Sequence, residues 1–98
     1  MPDPQELRDL DLQIFSARWC SDCRRLDRWL EAQGLAFPVV DLEAQPEAAQ
    51  RLEQETGKRA IPFVLVKGRR WVPGYHKDLP TRFDPDRFVL EVLAAAAD

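Results

Sequence analysis

Leu12-Gln13-Ile14-Phe15-Ser16-Ala17-Arg18-Trp19-Cys20-Ser21-Asp22-Cys23 is the stretch on which the fold turns. Its first part alternates and then becomes apolar, the pattern of a strand ending at Ser16, and Ala17-Arg18-Trp19 has the composition of a loop. From Cys20 onward Cys23, Leu26, Trp29 and Leu30 recur at helical spacing with arginines between them, until Gly34 supplies a C-terminal cap. The chain's two cysteines therefore stand where a strand gives way to a helix. Positions three apart in an α-helix have Cα atoms roughly 5 Å from one another, which lies within the range a disulfide can bridge. The first cysteine would sit against the unpaired N–H groups of the helix start, which favour a thiolate. Such a pair suits either disulfide exchange or half of a metal site.

Working outward, Phe37-Pro38-Val39-Val40-Asp41 reads as a second strand, with Pro38 confining it to an edge. Pro46 to Thr56 reads as a second helix, with Ala48, Ala49 and Leu52 inward and Gly57 after it. Ile61-Pro62-Phe63-Val64-Leu65-Val66 is a short apolar strand, joined through Lys67-Gly68-Arg69 to another at Arg70-Trp71-Val72, so the two predict a hairpin. Asp84-Pro85-Asp86 supplies an N-cap and a first-turn proline for a last helix through Phe88, Val89, Val92 and Leu93. The order β-α-β-α-β-β-α predicts an α/β fold. A right-handed crossover makes the first two strands parallel, the hairpin extends them into a four-stranded mixed sheet, and three helices cover its faces. The Cys20 loop then lies at the carboxyl end of a strand, where open α/β sheets place their chemistry.

At 98 residues and 45% hydrophobic, the chain suits one compact domain, residues 1–98, expected to act as a monomer. Two cysteines are too few for a disulfide-stapled scaffold, and in a reducing compartment a close pair is catalytic or metal-binding rather than structural. Met1 to Asp11 is acidic and polar, unlike a secretory leader, and no apolar run approaches the roughly 20 residues that span a bilayer. A cytoplasmic protein with no membrane partner is expected. The net charge of −3 is unevenly spread. Residues 1–57 hold 12 acids against 6 bases, whereas residues 58–82 hold 7 bases and the single acid Asp78. That basic tract is either a solvated face or a surface that steers an acidic partner or an anionic thiol. No recognised nucleic-acid motif accompanies it, so nucleic acid is not expected as a partner.

Taken together, Leu12 to Phe15 leading into Trp19-Cys20-Ser21-Asp22-Cys23, the Ile61-Pro62 dipeptide opening a strand, and Pro73-Gly74-Tyr75 after the hairpin resemble the glutaredoxin branch of the thioredoxin-fold superfamily. The resemblance runs over nearly the whole chain and implies a thioredoxin fold and a thiol–disulfide oxidoreductase with no bound cofactor beyond a redox-active Cys20–Cys23 disulfide. It further implies a cis Ile61-Pro62 bond facing the cysteines. Ser21 and Asp22 depart from the proline and tyrosine usual between the cysteines. Ala17 stands where a basic residue often serves glutathione, with Arg18 one place on. His76 and Lys77 precede Asp78 where acidic residues would hold the amino group of glutathione. Trp71 to Asp78 looks more like the glutaredoxin-like hydrogen donors of ribonucleotide reductase, which draw electrons from thioredoxin reductase, although Val72-Pro73 adds a residue to their spacing. Mycoredoxin-like proteins, which serve another small thiol, share the framework too. Thioredoxin reductase, glutathione and another low-molecular-weight thiol all stay open as reductant or co-substrate.

On this reading Cys20 is the nucleophile and Cys23 the resolving thiol, one helical turn away and able to release a reduced protein substrate from a mixed disulfide. Arg18 or the N–H groups of the helix start would support the Cys20 thiolate, whereas Asp22 would oppose it. The Ile61 backbone, freed beside Pro62, would pair with an extended substrate segment. Trp19 and Tyr75, with Gly74 before it, would flank the cysteines and give apolar contact surface. Trp29 is read as core and His76 as a solvated surface residue. Two rivals stand beside this reading. One is a metal module completed by a second chain, for which two cysteines and a distant His76 are short of the four ligands structural zinc takes. The other is a binding domain that keeps the fold without catalysis.

Overall fold

The computed structural model describes residues 2–97. Its elements are β1 (Leu12–Ser16), α1 (Ser21–Ala32), β2 (Val39–Asp41), α2 (Pro46–Thr56), β3 (Phe63–Val66), β4 (Arg70–Pro73) and α3 (Pro85–Ala96), preceded by a 3-10 turn at Pro4–Leu7. The sheet order is β2-β1-β3-β4. β1 and β2 run parallel, with Ile14 opposite Val39, and β3 is antiparallel to both β1 and β4. This is the mixed sheet expected from the order of elements, and with three helices it forms a thioredoxin fold.

The alternation of side chains across the sheet divides the core in two. Leu12 and Ile14 of β1 and Val64 and Val66 of β3 face α1 and α3, where they meet Leu26, Leu30, Phe88, Val89 and Val92. Phe15, Phe63 and Leu65 point the other way, onto Ala48 and Leu52 of α2. β3 is thus apolar at every position because both of its faces are covered. Trp29 packs edge-on against Phe83 and Phe88, a core role as expected.

Strand bounds shrink where proline intervenes. Pro38 precedes β2 and contributes only its carbonyl, which accepts the Ile14 N–H at 2.9 Å, and β2 is indeed an edge strand. β3 starts at Phe63 rather than Ile61, since Pro62 has no N–H to give the ladder. In the hairpin, Lys67 and Gly68 both take positive φ, 54° and 70°, the pairing that lets a tight turn follow the twist of its strands. The acidic, polar N-terminal stretch carries structure of its own. Asp3 caps the 3-10 turn by accepting the Gln5 N–H, and Leu7 is completely buried in the larger core. No helix among the described residues is long and apolar enough to cross a membrane.

Candidate active site

α1 begins at Ser21, and Cys20 is its N-cap rather than its first helical residue. The backbone of Cys20 is extended, so its side chain folds over the first turn, where Sγ accepts the Cys23 N–H at 3.2 Å. Sulfur replaces the hydroxyl or carboxylate that usually fills this position. One of the unpaired donors of the helix start is thereby aimed at the atom that would carry negative charge as a thiolate. On its other side Cys20 Sγ lies 3.7 Å from the Ile61 carbonyl. Both thiols are free.

The Ile61-Pro62 bond is cis. Its loop is held by Gly74, whose N–H donates to the Pro62 carbonyl at 2.9 Å. A Cβ at position 74 would lie 2.8 Å from Leu26 Cδ2 and 3.0 Å from Pro62 Cγ. Glycine is required there by the close approach of the proline loop, β4 and α1, rather than by its backbone angles.

The two cysteines meet different surroundings. Cys20 borders a shallow recess of about 470 Å³ together with Trp19, Ser21, Asp22, Arg25, Arg59, Ile61 and Arg82. Cys23 lines a cavity of about 410 Å³ behind it, between α1 and β2. Burial pushes the Cys23 thiol up to about 12, helped by the Cys20 sulfur and opposed by hydrogen bonds from the Ala17 backbone and the Ser16 hydroxyl. Cys23 is therefore a protonated thiol at neutral pH.

Asp22 does not stand as an unbalanced anion beside the pair, which corrects the expectation from sequence. Its oxygens accept Nε and Nη2 of Arg82, the shortest contact being 2.7 Å, and Nη1 of Arg25 at 2.5 Å. The Arg82 hydrogen bonds hold its carboxyl below the usual carboxylate range, with Arg25 adding to the effect against partial burial. Arg82 arrives from 60 residues away. Nothing in the local pattern around Asp22 announced it, beyond its place in the basic tract.

Trp19 is exposed to 67% at the rim of the recess. Tyr75 is half-buried and packs edge-on against Phe63, with ring centroids 6.1 Å apart. Burial, and then the charge of Asp22, pushes its hydroxyl pKa up. Arg18, expected beside Cys20, lines the rear cavity instead, and its carbonyl accepts Nη1 of Arg24 at 2.7 Å. His76 is not a surface residue. It is 3% exposed and stacked on Phe83, with Nδ1 accepting the Asp84 N–H at 2.9 Å and Nε2 set 2.8 Å from Glu91. Since Nδ1 faces a donor, the ring proton sits on Nε2 and is given to Glu91. Among the described residues no group of three or more His, Cys, Asp or Glu side chains is placed to hold a metal ion.

Residues 12–71 match the sequence model of the glutaredoxin family. The glutaredoxin-like protein NrdH of Salmonella typhimurium is 28% identical over 76 residues, which cover 78% of this chain and 91% of that protein. Among solved structures, a buckwheat glutaredoxin–glutathione complex aligns over 95% of this chain and 84% of its own, with a TM-score of 0.63 at 19% identity. The holo form of glutaredoxin C1 from Populus tremula x tremuloides aligns over 94% and 91%, with a TM-score of 0.61 at 22% identity.

Proposed function

This chain belongs to the glutaredoxin family of thiol–disulfide oxidoreductases, and from that premise we propose that it reduces protein disulfides by a dithiol route fed by thioredoxin reductase. The observation that carries the route is the unlike placement of the two thiols. Both are buried, at 7% and 5% exposure, but Cys20 Sγ is the helix cap and borders the front recess, while Cys23 faces the cavity behind it and stays protonated.

In the forward step the Cys20 thiolate attacks one sulfur of the substrate disulfide, and the other leaves as a thiolate that takes up a proton. Cys23 then gives up its proton and attacks Cys20 Sγ. The second substrate sulfur is released, and a Cys20–Cys23 bridge remains. Two electrons have passed to the substrate, and the reductase returns them. Part of what holds the Cys23 proton is the Cys20 sulfur, and that part is relieved when Cys20 is tied up in a mixed disulfide. The Ile61 backbone beside Cys20 offers pairing to an extended substrate segment, with Trp19 and Tyr75 supplying apolar contact.

The choice of reductant rests on residues that a glutathione site would use. Ala17 is buried and carries no charge. Asp78 is engaged by Nη1 of Arg87 at 3.0 and 3.2 Å, and His76 is turned into the core. The resemblance of Trp71 to Asp78 to the hydrogen donors of ribonucleotide reductase supports the flavoprotein. A cytoplasmic monomer acting without nucleic acid or membrane completes the proposal.

The test follows reduction of the oxidised protein in two coupled assays. NADPH consumption with thioredoxin reductase is expected to exceed that with glutathione and glutathione reductase by about tenfold or more, since a glutathione site without its charged contacts loses more than 1.4 kcal/mol of binding. Equal or faster reduction by glutathione would overturn the assignment of the reductant.

A further inference from the structure

The recess in front of Cys20 contains three arginines, Arg25, Arg59 and Arg82, and a single acid, Asp22. That acid lies within the cysteine motif and serves two of the arginines at once. Arg59 reaches the recess while paired with Glu53 on exposed surface. The charges bordering Cys20 therefore sum to a positive excess, although the chain as a whole is negative.

Arg82 is presented from a firm base. Its φ of 60° lies in the left-handed region, which a residue other than glycine occupies when its surroundings hold it there. Its N–H donates to the Leu79 carbonyl at 3.0 Å, and its own carbonyl accepts the His76 N–H at 2.6 Å. The His76 ring in turn ties the loop to the start and middle of α3. At the other end of the side chain, Asp22 receives Nε and Nη2 and so fixes the guanidinium at the mouth of the recess. An arginine carries five N–H donors, and this pairing leaves others directed elsewhere.

We propose that Arg82, aimed by Asp22, is a specificity-determining residue that selects disulfides flanked by a carboxylate side chain. Resting on the disulfide-reductase reading, this names the substrate class as an extended peptide segment whose cystine neighbours Asp or Glu. A second carboxylate arriving beside Cys20 balances two guanidiniums that now share one, whereas a lysine in that place is repelled. The contact lies at a solvated rim, so it acts mainly on association rate and is weakened by salt. A small disulfide bearing carboxylates has the same chemistry. The peptide is favoured because Arg59 also borders an adjoining cleft of about 550 Å³, where Lys58, Lys77 and Arg87 outnumber the acids Asp78 and Glu91, so a net positive surface extends away from the cysteines.

The experiment uses three peptides, each with one disulfide flanked by Glu, Gln or Lys, and a small carboxylated disulfide beside its ester, each mixed with pre-reduced protein under single-turnover conditions. Wild type is expected to reduce the Glu peptide about fivefold faster than the Gln peptide and to be slowest on Lys, with the spread narrowing as salt rises. In Arg82→Gln the Glu-to-Gln ratio falls below about 2, in Arg82→Lys most of the ratio returns, and in Arg82→Glu the order inverts, as rim charges acting on association require. Melting curves of the variants separate loss of preference from loss of the loop. Equal rates on all three peptides in wild type, or an unchanged ratio in Arg82→Gln, overturn the proposal. So does discrimination confined to a small carboxylated disulfide against its ester. Failure of wild type to reduce any peptide overturns the reductase reading and this proposal with it.

Discussion

Cys23→Ser is expected to lower multiple-turnover reduction of a protein disulfide on the order of 100-fold, because it removes the thiol that resolves the mixed disulfide. The first chemical step should survive, since the Cys20 cap is made by the backbone N–H of residue 23 and not by its side chain. One equivalent of substrate would then remain joined to Cys20, visible as an adduct of the summed mass under non-reducing conditions and released by dithiothreitol. Serine nearly preserves the size of the buried group, so a fall in turnover with an unchanged melting temperature assigns the loss to chemistry. Undiminished turnover on a protein substrate would end the dithiol mechanism and leave Cys20 working alone.

His76→Ala is expected to destabilise the fold by about 3 kcal/mol, through an orphaned Asp84 N–H and the space left under Phe83. For a domain of this size that corresponds to a melting temperature lower by roughly 12 to 24 °C, read by circular dichroism. The effect is large because one ring performs three tasks. It accepts the N–H of the α3 cap residue, donates to Glu91 about two turns further along, and stacks on Phe83 at 5.8 Å. His76→Gln should recover part of the loss, since an amide can still offer an acceptor and a donor. A change below about 1 kcal/mol for the alanine variant, the range of ordinary surface substitutions, would show that His76 merely fills space.

The difference between what was legible in the sequence and what was not follows from how far apart the interacting residues lie. The helix carrying the cysteines announces itself through Cys23, Leu26 and Leu30, each placed by the period of the helix. The sheet is equally readable, because a central strand covered on both faces must be apolar throughout, as Phe63 to Val66 is. Long-range polar pairing has no such period. Asp22 and Arg82 each look like ordinary surface residues until the fold joins them, and His76 has no neighbour in sequence that predicts its burial. The N-terminal turn is a different case. Asp3-Pro4 carries the same cap-and-proline signature as Asp84-Pro85, and Leu7 is the first apolar residue behind it. Arg18 is close to Cys20 in the chain, yet the loop turns it toward the cavity behind Cys23, a choice that adjacency in sequence does not specify.

The unequal split of the core has a consequence for how such a protein diverges. The helix bearing the thiols is fastened into the larger cluster, with α3 and the N-terminal turn behind it. Ile61 and Tyr75, both partly exposed, pack against the smaller cluster beneath α2. The surface beside Cys20 is thus rooted in both layers, with Asp22 and Arg82 on the side of the larger cluster and Ile61 and Tyr75 on the side of the smaller. Substitutions on the α2 side can therefore reshape the Ile61 and Tyr75 part of that surface while the helix bearing the cysteine pair stays fastened in the larger cluster.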